Sequence, residues 1–303
     1  MASISVITVN FNQPLVTEEL IHSIQAQGST VTEIIVVDNG SKINHVPEWT
    51  TRYPHISFIR SNTNLGFAGG NNLGIKAATG DYLFLVNNDT EFTPRLAETL
   101  ADTLDRFPSV AVVSPKIRFF SVPDTIQYVG FTPMNYYTIQ NASPGYLEKD
   151  RGQYDNIERE TGFVHGAAMM IRKEAIDKAG LMPENFFLYY EEMDWCERFK
   201  QAGYRLMINT NALIYHKESI SVGANSPLKE YFMNRNRILF ARRNSPPAAR
   251  LFFYVYFILL VCTRNILVYI AKGNFAFIPV LLRAVWWNVT NNKDSTVLGY
   301  TLK

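Results

Sequence analysis

At 303 residues the chain can hold one large α/β domain with an appended segment, and its 47% hydrophobic content with 17 Gly and 14 Pro excludes disordered and fibrous classes. The formal charge of +2 conceals two unlike parts: residues 1–227 carry 18 Lys+Arg against 25 Asp+Glu, and residues 228–303 carry 11 against 2. A basic end on an acidic body points to an anionic membrane surface and not to nucleic acid, while two distant cysteines exclude a disulfide framework or a zinc set and fit a reducing compartment.

Met1-Ala2-Ser3 runs straight into an apolar strand without a basic start or a cleavage site, which argues against a secretory signal. Residues 5–9 are an apolar run of strand length ending at Asn10-Phe11-Asn12, and Pro14 opens a helical pattern with Leu15, Leu20, Ile21 and Ile24 on one side. A second buried-strand run, 34–37, stops at the turn signal Asp38-Asn39-Gly40-Ser41. Residues 56–59 read as a third strand, 66–78 as a small-residue helix, and 82–86 as a fourth strand that stops at Asn87-Asn88-Asp89. A helix over 94–107 and a strand over 110–114 follow. Strands alternating with helices predict a mostly parallel sheet, and such sheets bind ligands beyond the carboxyl ends of their strands. Asn10, Asp38 and Asp89 all stand at such ends.

Over 115–160 the pattern weakens into a loop-rich stretch. Regularity returns with a strand over 167–172, a short helix to Ala179, a helix over 191–202 stopped by Gly203, and a strand over 204–215 closing at His216. Beyond Pro227, Arg235, Arg237, Arg242, Arg243 and Arg250 cluster before an apolar run, 251–263, that Arg264 interrupts. A second apolar stretch, 275–289, carries Trp286 and Trp287. A membrane span needs about 20 mainly apolar residues, which the first run reaches only by continuing through Arg264 to Ile270. The favoured reading is helices lying in the membrane interface, anchored by arginines to anionic lipid and by tryptophans to the headgroup layer. An amphipathic dimer or core helix is the alternative.

Several clusters could carry chemistry, each with a plainer explanation beside it. Asn87-Asn88-Asp89 offers hard oxygens suited to Mg²⁺ or Mn²⁺, although Asn and Asp favour turns in any case. Asp38-Asn39-Gly40-Ser41 could meet a base or ribose edge, or be only a turn. In Asn64-Leu65-Gly66-Phe67-Ala68-Gly69-Gly70-Asn71-Asn72-Leu73-Gly74, glycines and free N–H groups at a helix start could receive a phosphate. The same glycines could instead serve close helix packing. Glu191, Glu192 and Asp194 crowd the first turn of a helix, where they cap it or raise one another's pKa toward general-base duty. Arg198 stands four residues after Asp194, the spacing of an ordinary ion pair. His216 could complete a metal shell with Asp89.

In order and company these motifs resemble the family 2 glycosyltransferases of the GT-A fold, rhamnosyltransferase-like members above all. The likeness runs from about residue 3 to 221. It is carried by Val6-Ile7-Thr8-Val9-Asn10-Phe11-Asn12, by Val36-Val37-Asp38-Asn39-Gly40-Ser41, by the Asn64 to Gly74 segment, and by Gly80-Asp81-Tyr82-Leu83-Phe84-Leu85-Val86-Asn87-Asn88-Asp89. It continues in Phe186-Phe187-Leu188-Tyr189-Tyr190-Glu191-Glu192-Met193-Asp194-Trp195-Cys196-Glu197-Arg198, in Gly203-Tyr204 and in Tyr215-His216-Lys217.

The resemblance implies an α/β GT-A domain over 1–226; beyond it, composition and charge predict a basic, apolar helical segment over 227–303 that associates with membrane. The resemblance also implies that Asp38 reads the base of a nucleotide sugar, with Asn10 and Asn64 near base and ribose and Asn39, Gly66, Asn72 and Asn88 in the same binding set. Asp89, in the position of the family's DXD acid, and His216 would hold Mg²⁺ or Mn²⁺. Glu192 would take the proton of the acceptor hydroxyl, with Asp194 and then Glu191 as substitutes. The implied donor is dTDP-L-rhamnose, with UDP-hexoses as the alternative. The basic, apolar end points to a lipid-linked saccharide of cell-surface polysaccharide assembly as acceptor, at the cytoplasmic face of the inner membrane. Two departures from the family pattern stand out: Asn87 replaces the first acid of DXD, and Glu replaces Asp at the base position. A catalytically weak nucleotide-sugar binder, or a nucleotidyltransferase, are the competing readings.

Overall fold

A computed structural model of the chain describes residues 2–28, 31–217 and 226–302. Glu218, Ser219 and Ser221, at the far end of the resemblance, lie outside them. The strands are β1 (Ile4–Asn10), β2 (Glu33–Asn39), β3 (Ser57–Ser61), β4 (Tyr82–Asn87), β5 (Thr90–Phe92), β6 (Val110–Phe119), β7 (Ile126–Tyr128), β8 (Glu158–Glu160), β9 (Ala168–Arg172) and β10 (Arg205–His216). They form one sheet in the order β3-β2-β1-β4-β9-β6-β10-β5, with β7 beside β6 and β8 beside β10. Strands β1 to β4, β6 and β10 run in one direction, and β9, β5, β7 and β8 oppose them. The sheet is therefore mixed but mostly parallel, as expected.

The continuous apolar runs follow from burial on both faces. Ile35, Val37, Leu83 and Leu85 enter one apolar layer, while Ile34, Val36, Phe84 and Val86 enter the other, the period of two of an extended chain. Helices α1 (Pro14–Gln25), α2 (Val46–Arg52), α3 (Gly66–Ala77), α4 (Leu96–Arg106), α5 (Lys173–Ala179) and α6 (Glu191–Gln201) cover those layers.

Three departures from the expected elements have physical causes. Strand β6 does not stop at Ser114 but passes through Pro115, because β10 bulges there: Asn209 faces Pro115 and Leu213 faces Lys116. A proline without a ladder N–H is tolerated at a bulge. The stretch 115–160 also contains β7 and β8, and the Lys116 ammonium ties it down through Asp150 at 2.9 Å and Asp155 at 2.5 Å. Helix α2 and the three-residue β5 are too short to leave a periodic signal.

The chain beyond Pro227 begins with a helix packed into the body. Helix α7 (Pro227–Asn244) is built into the body: its Ile238, Leu239, Phe240 and Ala241 share one core with Phe186, Trp195 and Phe199. The boundary expected at 226/227 is thus the start of a core helix. The expected lipid-binding arginines turn inward. Arg235 is fully buried, Arg237 donates to the Thr138 carbonyl at 2.6 Å, and Arg242 donates to the Asn291 carbonyl at 2.9 Å. Arg243 pairs with Asp194 at 2.9 Å and Asp294 at 3.0 Å, and Arg250 donates to the Arg242 carbonyl at 3.3 Å. Protein carbonyls and carboxylates receive these guanidinium groups, with Arg237 Nε left unpartnered among the described residues.

The exposed apolar surface begins later. Helix α8 (Pro247–Tyr256), a π-helical stretch (Phe257–Cys262) and α9 (Thr263–Ala271) form one continuous apolar helix of 25 residues, long enough to cross a membrane by length and composition. Leu251, Leu259, Leu260 and Leu267 are exposed along it, and Arg264 is exposed within it. Helix α10 (Phe277–Thr290) returns against α7, exposing Trp286 and burying Trp287, whose indole N–H donates to the Val297 carbonyl at 2.8 Å.

Candidate active site

A cavity of about 510 Å³ opens beyond the carboxyl ends of β1 and β4. Asn39, Asn64 and Gly66 line one part of its wall, Asn87, Asn88 and Asp89 another, and Phe131, Asn141, His165, Gly166, Glu191 and Glu192 a third. Its size suits a small-molecule ligand, and the wall combines aromatic faces with convergent amides and carboxylates.

Strand pairing explains how Asp89 meets His216. After Asn87 the chain turns and returns as β5, which pairs antiparallel with β10 so that Thr90 lies opposite His216. The Lys217 N–H then donates to the Asp89 carbonyl at 2.8 Å. Both side chains are buried, with Asp89 Oδ1 3.1 Å from His216 Nε2. On the far side of the ring, His216 Nδ1 lies 2.8 Å from Gln127 Oε1, an acceptor, so Nδ1 carries the proton and Nε2 the lone pair in the neutral imidazole. Asp89 Oδ1 has no hydrogen-bond donor among the described residues.

Two such atoms facing each other in a buried site can share a proton as an ion pair or hold a cation between them. Cis ligands on an octahedral ion with bonds of about 2.1 Å stand about 3.0 Å apart, close to the separation found here. An oxygen and an imidazole nitrogen suit a divalent metal of the first transition row. No group of three His, Cys, Asp or Glu side chains is placed to hold a metal among the described residues, so further ligands would come from a bound anion or water. The Asn87 Nδ2 lies 3.4 Å from His216 Nε2, where a first acid would otherwise add charge.

Glu191 and Glu192 enter the same cavity from the first turn of α6. The helix dipole favours their ionised form, but burial dominates. It pushes both carboxyls up, Glu191 well above the ordinary range with the Glu192 charge adding to it. Such a carboxyl is suited to accept a proton near neutral pH. The backbone leading into them is strained: Phe187, Tyr189 and Tyr190 all have positive φ, at 66°, 68° and 73°. Gly66, with φ 74°, lets the Phe187 carbonyl approach, since a β-carbon there would stand 2.2 Å from that oxygen.

Not every expected residue reaches the wall. Asn10 and Asp38 are neighbours in the β1–β2 register and bond to each other, Asn10 Nδ2 donating to Asp38 Oδ1 at 2.9 Å, while Arg60 closes the other carboxylate oxygen. They stand behind the cavity and do not line it. Asn72 is engaged with the Met182 carbonyl at 2.9 Å and Glu184 at 2.8 Å, so it ties α3 to the loop before α6. Asp194 faces away from the cavity toward α7, accepting from Arg243 Nε at 2.9 Å and Asn244 Nδ2 at 2.7 Å. The expected Asp194–Arg198 pair does not form; Arg198 donates instead to the Leu181 carbonyl at 2.7 Å.

The glycines of α3 serve packing. A β-carbon on Gly70 would meet Val9 Cγ1 at 2.8 Å, and one on Gly74 would meet Ile7 Cγ2 at 2.4 Å. The leading N–H groups of α3 are engaged as well, Gly66 with Asn64 Oδ1 at 2.8 Å and Phe67 with the Phe187 carbonyl at 2.8 Å.

His165, Gln127 and Asn141 were not among the residues expected at the site. His165 Nδ1 accepts the Ala167 N–H at 3.1 Å, and its ring lies parallel to Phe131 and 6.2 Å from His216. Burial, then the neighbouring His216, push its pKa down to about 3, so it stays a neutral N–H donor. A histidine followed by glycine after an apolar pair was the available signal.

Comparison with known proteins places these features. The model of glycosyl transferase family 2 matches residues 5–180. The low-salt glycan biosynthesis hexosyltransferase of Haloferax volcanii is 29% identical over 203 residues, 65% of this chain and 62% of that protein. The N-acetylglucosaminyl-diphospho-decaprenol L-rhamnosyltransferase of Mycobacterium tuberculosis is 22% identical over 238 residues, 72% of this chain and 77% of that protein. A mannosyltransferase from Pyrobaculum calidifontis, solved in complex with GDP-Man and Mn²⁺, superposes with a TM-score of 0.56 at 16% identity, covering 95% of this chain and 87% of that one.

Proposed function

Because the chain belongs to glycosyl transferase family 2, we propose that it transfers a sugar from a nucleoside diphosphate to an acceptor hydroxyl in one inverting displacement. The observation that carries this reading is the facing of Asp89 Oδ1 and His216 Nε2 at 3.1 Å beside a cavity that Glu192 also lines. Asp89 and His216 would hold Mg²⁺ or Mn²⁺, which when bound supplies Lewis-acid stabilisation to the departing diphosphate. Asn64, Gly66 and Asn88 lie on the wall where the nucleotide would rest, and Asn39 holds Asn64 and the Leu65 N–H in place. Glu192 takes the acceptor proton as the hydroxyl attacks. It is preferred over Glu191 because Glu191 is the more deeply buried of the pair, and over Asp194 because that carboxylate faces Arg243.

For the donor, the favoured sugar is L-rhamnose carried on dTDP, with a UDP-hexose as the alternative; the name of the mycobacterial relative supports the former. That name also supports a lipid-linked saccharide as acceptor, and a cell-surface polysaccharide is the destination inferred for it. The exposed apolar helix Pro247–Ala271 supports attachment at the cytoplasmic face of the membrane. The anchoring elements are then its leucines and the exposed Trp286, in place of the arginines.

The test is incubation with dTDP-L-rhamnose, UDP-glucose and UDP-N-acetylglucosamine, each with Mn²⁺ and a polyprenyl-diphosphate saccharide. Sugar-dependent release of nucleoside diphosphate, with an inverted anomeric centre in the product, is expected. Asn87 in place of an acid favours a second reading, a nucleotide-sugar binder of weak catalytic power. Saturable nucleotide-sugar binding without turnover would select it, and pyrophosphate release would instead indicate nucleotidyl transfer.

A further inference from the structure

We propose that Asn236 and Arg235 of α7 are positioning residues: together they clamp the strained loop 185–190 and thereby aim Glu191 and Glu192 into the cavity. The inference rests on the transferase reading for its catalytic consequence, but the clamp itself stands on geometry alone.

Three non-glycine residues make the loop costly to hold. Phe187, Tyr189 and Tyr190 adopt positive φ without being glycine, a backbone region that L side chains rarely occupy. Such a segment persists only where its surroundings over-determine it. Here α3 holds the loop from one side, through the Phe67 N–H on the Phe187 carbonyl at 2.8 Å, and one dipeptide of α7 holds its other carbonyls. The Asn236 amide nitrogen donates to the carbonyls of Phe186 at 2.9 Å, Leu188 at 2.7 Å and Tyr189 at 2.8 Å. With two hydrogens for three acceptors, that nitrogen has no spare capacity. Its Oδ1 accepts from Arg235 Nε at 2.8 Å, which fixes the orientation of the amide.

Arg235 extends the grip. Its remaining nitrogens reach the Asn185 and Phe186 carbonyls and, at 2.9 Å, the Leu298 carbonyl. The guanidinium lies 4.5 Å from the centroid of the Trp287 ring on α10 and 5.0 Å from that of Phe232. No carboxylate neutralises it within ion-pair distance among the described residues. Backbone carbonyls satisfy it instead, as happens when a buried cation organises irregular backbone. The residue that follows the loop is the first of α6, so a rotation of the loop moves both glutamates.

A buried polar dipeptide could also be a stability device and nothing more, and the test separates the two. Asn236→Ala and Arg235→Lys are compared with Leu239→Ala, a buried residue of the same helix that makes no hydrogen bond to the loop. Hydrogen–deuterium exchange over residues 186–193 is expected to rise at least tenfold in N236A and R235K and to stay unchanged in L239A. With the donor that the native chain turns over, N236A is expected to lower kcat by 10- to 100-fold, the scale of an ångström-level misplacement, with the KM for that donor unchanged. Unaltered exchange in N236A and R235K would overturn the clamp. Raised exchange with kcat falling no more than in L239A would overturn its positioning role. If the native chain turns over no nucleotide sugar, the transferase reading fails, and the exchange comparison still decides whether the clamp holds the loop.

Discussion

Replacing Gln127 with leucine should weaken divalent-metal binding without touching either proposed metal ligand. Gln127 is buried on β7, and its Oε1 holds the His216 Nδ1–H at 2.8 Å. Leucine keeps the volume and removes the acceptor. Two consequences follow. A buried N–H left without a partner costs about 1–3 kcal/mol. The imidazole escapes that cost by moving its proton to Nε2, where Asp89 Oδ1 waits 3.1 Å away. In that tautomer the lone pair needed by a metal is occupied, and a charge-assisted hydrogen bond of roughly 1.5–3 kcal/mol must be broken before an ion can bind. Mn²⁺ affinity is therefore expected to fall 10- to 100-fold, the range seen when partners behind a metal ligand are lost. Free Mn²⁺ measured by electron paramagnetic resonance during titration, in the presence of UDP, reads this directly. The metal-free melting temperature should move little, because the new Nε2–H bond compensates the lost one. A Q127L protein that binds Mn²⁺ as tightly as the native chain would refute the tautomer argument.

Glu192→Gln should reduce transfer by about 10²- to 10⁴-fold, the usual contribution of a general base, while nucleotide binding measured by calorimetry stays near native. Burial raises the Glu192 carboxyl, so the acid limb of kcat against pH should lie above the ordinary carboxylate range; a limb at ordinary carboxylate pH would contradict that role. Stability should respond to pH with two opposing slopes. His165 has a folded pKa of about 3 against 6.5, so it binds fewer protons when folded and stabilises less as pH falls from 6.5 toward 3. Glu191 and Glu192 are raised above 4.5, so they bind more protons when folded and stabilise less as pH rises through that value. His165→Asn removes the first slope, up to about 1.4 kcal/mol per pH unit. Urea unfolding between pH 4.5 and 6.5 should then show stability falling with rising pH more steeply than in the native chain, and parallel curves would refute it. Leu259→Glu with Leu260→Glu, both exposed on the apolar helix, should release the protein from anionic vesicles in a sedimentation assay without lowering its melting temperature. Unchanged sedimentation would remove that helix from membrane attachment.

The expected elements were legible where burial on both faces left long apolar runs, and the strand ends correctly marked where a cavity forms. What local pattern could not supply is pairing. Asn10 and Asp38 were expected to meet a ligand, but adjacent positions in parallel strands let them satisfy each other. Asp89 and His216 were each visible as residues at strand ends, yet their meeting depends on the three-residue β5 running back along β10. Asp194 looked equivalent to its neighbours in the first turn of α6, and only the packing of α7, with Arg243 49 residues away, sets it apart. The same packing misled the reading of the basic tail. Arginine clusters look alike in sequence whether their partners are phosphates or carbonyls, and here α7 directs Arg235 into the protein.

The most direct test is a crystal grown with MnCl₂ and UDP and measured at the manganese edge. An anomalous peak bonded to the Asp89 carboxylate and His216 Nε2, with the diphosphate beside it and Glu192 facing the open side, is the predicted result. Bound nucleotide with the manganese elsewhere, or with none at that pair, would contradict the account.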